Sequence, residues 1–126
     1  MEIDDMQHSE LVRNLVKPES EVADEMSVAD AGLIHMIMGV SGECGELLDA
    51  IKKHVIYGKP LDHENVLEEL GDIEFYLEGF RQCLDITREE TLEHNIAKLS
   101  KRYSGGKFTN SDAIERADKS RNNQQA

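Results

Sequence analysis

Two cysteines, Cys44 and Cys83, are all that this chain of 126 residues contains. They lie inside helical segments without CxxC spacing, so buried reduced thiols are expected rather than a disulfide or a metal site. Long apolar runs are also missing: none approaches the roughly 20 residues that span a bilayer. The acidic start, MEIDD, lacks the basic region of a secretory signal, and a cytoplasmic location is the expectation. Basic residues are scarce. Fourteen lysines and arginines against 26 acidic residues give a net charge of −12, which repels phosphate backbones and anionic lipid, so neither polymeric nucleic acid nor membrane is an expected partner. A small phosphorylated ligand escorted by a divalent metal is compatible with that charge, because the metal inverts the local sign. Runs of alternating, β-branched-rich residues are absent, which leaves the all-α class.

What is present is helical signal. A first, weaker helix is expected over Asp5–Val16, stopped by Pro18. Ser27, with Asp30 three residues on, marks the start of a long second helix reaching about Tyr57, which Gly58 terminates. Asp62 caps a third, over about His63–Leu84, and Thr87 with Glu90 forms a capping box that opens a fourth, ending by Gly105. The implied organisation is an N-terminal helix and linker over residues 1–26, one domain over residues 27–108 and a polar tail over residues 109–126, with a loop, a short helix and a disordered end. Short connections make successive helices antiparallel neighbours, so the third and fourth are expected on the second as a bundle. Leu33, Met36, Val40, Leu47 and Ile51 share one stripe of the second helix, and Val66, Leu70, Ile73, Leu77 and Leu84 one of the third.

Into this pattern the second helix admits SGECGELLDA, residues 41–50, in which Gly42 and Gly45 each cost on the order of 1 kcal/mol relative to alanine. Either the helix packs very closely there or something sits on it. Glu43 and Glu46 lie a turn apart on one face, and Glu69 and Asp72 repeat that spacing on the third helix. Glu69 interrupts the apolar stripe between Val66 and Ile73, where a carboxylate is costly unless paired or bound to a cation. Four oxygen donors without cysteine favour a hard ion, Mg²⁺ or Mn²⁺, over zinc. A di-iron carboxylate bundle ordinarily needs Glu-x-x-His, which the chain lacks. His35 and His54 are read as exposed helix histidines, with His54 within reach of the site. The fourth helix places Asn95, Lys98 and Arg102 on one face, an amide, an ammonium and a guanidinium together. Metal on one side and cations on the other suit a polyphosphate, although no G-x-x-x-x-G-K-[ST] loop is present to cradle a γ-phosphate.

The ordered set Glu43-x-x-Glu46, Glu69-x-x-Asp72 and N-x-x-K-x-x-x-R, within GVSGECGELLDAIKKHVIYGKPL, NVLEELGDIEFYL and NIAKLSKRY, resembles the MazG-like nucleoside triphosphate pyrophosphohydrolases over roughly Ala29–Phe108. The resemblance implies an all-α, four-helix-type antiparallel bundle completed by dimerisation, and the long second and third helices, with more apolar surface than one chain readily covers, make a homodimer or a tetramer of dimers the expectation. It implies Mg²⁺ held by Glu43, Glu46, Glu69 and Asp72, triphosphate contacts from Lys98 and Arg102 with Asn95 beside them, and hydrolysis of a nucleoside triphosphate to the monophosphate and pyrophosphate. Glu46 and Glu69 are the candidates for general base. The alternatives are a non-catalytic nucleotide-binding protein and a structural helical oligomer. Tyr57, Tyr76 and Tyr103 are the aromatic residues available to a base, each also suited to packing.

Overall fold

A computed structural model of the chain describes residues 3–5 and 7–119. Every regular element among them is helical: a 3-10 turn at Ile3–Asp5, α1 (His8–Leu15), α2 (Glu19–Glu25), α3 (Val28–Val55), α4 (His63–Cys83), α5 (Arg88–Arg102), α6 (Asn110–Glu115) and a second 3-10 turn at Ala117–Lys119. The all-α class holds, and the second, third and fourth expected helices are α3, α4 and α5.

Their starts are local chemistry. Ser27 Oγ accepts the Asp30 N–H at 3.1 Å while the Asp30 carboxylate accepts the Ser27 N–H at 2.9 Å. Thr87 and Glu90 repeat the exchange ahead of α5 at 3.1 and 3.2 Å, and Asp62 accepts the Asn65 N–H at 3.1 Å ahead of α4. Each cap satisfies donors that a first turn leaves without intrahelical partners, worth about 1 kcal/mol apiece. Beyond α3 the chain turns at Gly58, whose φ of +68° suits a residue without Cβ. His54 Nδ1 lies 2.6 Å from the Lys59 carbonyl oxygen, so that histidine belongs to the turn.

The N-terminal region differs from expectation, because the linker carries α2. Pro18 stands at its N-cap, Glu19 and Glu21 occupy its first turn where carboxylates suit the positive end of the dipole, and Lys17 pairs with Glu25 across it. Two turns without an apolar stripe leave no periodic signal to read. In the tail, Thr109 caps α6 by accepting the Asp112 N–H at 3.1 Å. The end of the tail, residues 120–126, lies outside the described residues.

The main packed pair is α3 with α4. Gly32 meets Cys83, Met36 meets Gly79 and Gly39 meets Tyr76, so one helix ascends as the other descends. That antiparallel register brings Glu43 to the level of Asp72. A Cβ at Gly39 would overlap the Tyr76 ring, whereas one at Gly42 or Gly45 would meet nothing within 4 Å. Close packing therefore explains Gly39 and leaves the other two open. Gly39→Ala is expected to cost about 1–3 kcal/mol through overpacking. Gly42→Ala should gain up to about 1 kcal/mol of helix propensity in the metal-free protein. Thermal melts of both variants check the contrast.

The sequence reading laid the fourth helix on the second, but α5 makes its main contacts with α6 and the second 3-10 turn. Two helices share one interface, so their outer sides stay uncovered. Leu33, Met36, Val40, Leu47, Val66, Ile73 and Leu77 of the expected stripes are half-buried, Ile51, Leu70 and Leu84 are exposed, and Ala50 is the only buried apolar residue among those described. On α3 the uncovered residues Ile37, Ser41, Cys44, Leu48, Ile51 and Val55 recur in alternating steps of four and three, a heptad seam. Both cysteines are free and exposed, which corrects the expectation of buried thiols; Cys44 belongs to this outward seam.

Candidate functional site

The register of α3 against α4 converts two local spacings into one cluster. A carboxylate oxygen from each of Glu43, Glu69 and Asp72 lies within 4.8 Å of the others. Glu43 and Glu69 are half-buried, Asp72 is exposed, and Glu46 stands a turn along α3, exposed and outside the triple. Three acceptors that close repel one another, and ionised carboxylates have no proton with which to bond. Glu69 shows the consequence. Its Oε2 is buried and receives no hydrogen bond among the described residues. Its carboxyl is pushed up to about 7, foremost by a hydrogen bond shared with Glu43, then by burial and by the charges of Glu43, Asp72 and Glu46. The group waits for a proton or a cation.

The donor set fits a hard divalent cation: carboxylate oxygens alone, one of them desolvated without a partner among the described residues, on two helices held in register. Gly42, next to Glu43 in the chain, has open space where a Cβ would stand, so no side chain of its own crowds that edge of α3. Lys53 pairs with Asp49 at 2.9 Å on the same helix, leaving Asp49 engaged outside the cluster.

The basic strip of α5 is placed elsewhere. Arg102 donates from Nε to Asp118 Oδ1 at 2.7 Å and from Nη2 to Oδ2 at 3.1 Å. The pair holds the Asp118 carboxyl below its ordinary range and raises Arg102 further. Lys98 is half-buried beside it, its charge felt at Asp118, and Asn95 is exposed. The structure thus joins Glu43 with Glu69 and Asp72, and Arg102 and Lys98 with Asp118, without main contacts between the two groups. Asp118 went unread in the sequence. It is 7% exposed, the one buried charged residue among those described, yet it sits in a polar stretch with no periodicity to mark it.

The aromatic candidates pack. Tyr76 is half-buried over Gly39, edge-on to His35 and Phe75. Tyr57 lies under Lys52 Nζ at 5.6 Å, and Tyr103 meets Phe108 with centroids 5.9 Å apart. No described helix is long and apolar enough to cross a membrane.

Compared with known proteins, the chain matches the family model of the MazG nucleotide pyrophosphohydrolase domain over residues 31–105, a span that includes α3 from its second turn, all of α4 and α5, and all the site residues except Asp118. No curated protein and no solved structure matches it.

Proposed function

The chain belongs to the MazG nucleotide pyrophosphohydrolase family, and on that premise we propose that it is a Mg²⁺-dependent enzyme converting a nucleoside triphosphate, NTP or dNTP, to the monophosphate and pyrophosphate. The observation that carries this reading is the convergence of Glu43, Glu69 and Asp72 around a desolvated acceptor without a donor. These three hold the ion, Mg²⁺ or in its place Mn²⁺, with Glu46 closing the set. When bound, the cation supplies charge neutralisation at phosphate oxygens and acidifies a water. Glu46, exposed and outside the triple, takes the proton of the attacking water, while Glu69 fixes the ion from the floor of the cluster. Lys98 and Arg102 neutralise the outer phosphates, with the Asn95 amide beside them, which favours attack at the α-phosphorus with pyrophosphate leaving.

Assembly belongs to the same proposal. The apolar residues that α3 leaves uncovered, Ile37, Leu48, Ile51 and Val55, support it. The heptad seam of α3 fits a second copy of this chain, in a homodimer or a tetramer built from dimers. Such an assembly supplies the packing that α5 lacks within one chain. A cytoplasmic location goes with it.

Turnover of a nucleotide panel in ¹⁸O-water is the test. Activity should vanish in chelator, return with Mg²⁺, and put label into the nucleoside monophosphate. Label confined to pyrophosphate or orthophosphate would remove the α-phosphorus assignment. Binding of nucleotides without turnover would instead make the chain a non-catalytic member, and indifference to every nucleotide a structural oligomer.

A further inference from the structure

Cations are few in this chain, yet they gather in one place. His94, Ala97, Lys98, Lys101, Asp118 and Lys119 line a cavity of about 410 Å³ between α5 and the second 3-10 turn. With Arg102, which grips Asp118 from the side, four of the chain's 14 lysines and arginines gather at one cavity whose described lining holds a single carboxylate. In a molecule of net charge −12 that concentration is a local field for an anion. Arg102 meets Asp118 fork to fork, the geometry a guanidinium offers equally to a carboxylate and to a phosphate. The side chains are 16% and 5% exposed, so the arginine is withdrawn from solvent as well as occupied.

We propose that this cavity seats the outer phosphates of the substrate, with His94, Lys101 and Lys119 joining Lys98 and Arg102, and that Asp118 fills it as an internal anion, so α6 and the second 3-10 turn form a latch that must yield Arg102 before a triphosphate binds. The inference rests on the reading of Lys98 and Arg102 as triphosphate contacts. One carboxylate brings a single negative charge to a site built of several cations, and a triphosphate brings about four, so exchange favours the ligand. The carboxylate, however, is tethered 16 residues from Arg102, and its local concentration is high. The latch therefore sets a threshold: the ligand binds only the fraction of molecules in which Arg102 is released, and its apparent affinity falls by that fraction.

Calorimetric titration with inorganic tripolyphosphate, without metal, tests the latch on the full chain. Asp118→Asn keeps the shape and removes the charge, and is expected to bind tripolyphosphate about 10-fold more tightly than the wild type. In the wild type, which needs no variant to fold, amide exchange over residues 110–119 should speed up when tripolyphosphate is added. Equal or weaker binding by Asp118→Asn, or exchange that is unchanged or slowed, overturns the latch. Arg102→Gln, made in the Asp118→Asn background so that release of the latch does not offset the lost contact, separates this from the parent reading. If it weakens tripolyphosphate binding 10-fold or more, Arg102 remains a phosphate contact whatever Asp118→Asn does. If affinity is unchanged, the phosphate reading and the latch fall together.

Discussion

Glu69→Gln is expected to lower Mg²⁺-dependent turnover by about 10³-fold or more while making the metal-free protein more stable above neutral pH. The two effects have one cause. Glu69 sits half-buried between Glu43 and Asp72, with an acceptor that no described donor reaches. In the folded chain its carboxyl is raised from 4.5 to about 7, foremost through Glu43. A carboxyl whose folded value is raised holds its proton more tightly folded than unfolded. Its contribution to stability is complete below about 4.5 and is lost as pH rises through about 7. Metal-free wild type should therefore melt at progressively lower temperature across that interval, and Glu69→Gln, which has nothing to ionise there, should melt independently of it. Loading Mg²⁺ should release close to one proton per ion at pH 6 and almost none at pH 8.5, readable by calorimetry in buffers of different ionisation heat. A glutamine variant that turned over normally would show that Glu69 neither holds the ion nor shapes the site.

The second large effect is expected at Leu48. Its side chain is 69% exposed in the single chain, so Leu48→Asp should change the stability of an isolated protomer by little beyond the helix propensity of aspartate. In a seam that a second copy covers, the same carboxylate is desolvated without a partner, at several kcal/mol. Dissociation should rise by about 10³-fold, and sedimentation velocity across a concentration series should show it. Activity per chain should fall with the dissociated fraction and recover at high concentration. A variant that sediments like the wild type at every concentration places the contact on some other face.

Legibility followed the range of the interactions. Ser27, Asp62 and Thr87 mark helix starts because a cap is a matter of three residues, and the structure begins α3, α4 and α5 directly after them. The meeting of Glu43 with Glu69 and Asp72 was legible too, since a short connection and a shared period leave two helices one register in which their stripes face. What escaped lay beyond such rules. Nothing periodic links Asp118 to Arg102. Cys44 was expected to be buried because it lies inside a helix without CxxC spacing, and that position does not say which side of α3 its own chain covers. Gly39 and Gly42 read alike in the sequence, and only the Tyr76 ring distinguishes the glycine that permits packing from the one that faces open space.

The connection of residues 56–62 between α3 and α4 also bears on how the protein comes into being. Two capped helices joined by so short a turn make contacts that are near in sequence, the condition for collapse in microseconds to milliseconds. In the proposed dimer the seam on the far side of α3 is covered only by collision with another chain, at a rate set by protein concentration. Refolding should thus divide into a fast phase, the same at every dilution, in which helicity appears, and a slower one that quickens as the solution is concentrated. Between the two phases each newly made chain carries an uncovered apolar stripe, and the scarcity of positive charge that leaves every copy strongly anionic is what keeps such chains apart until the right faces meet.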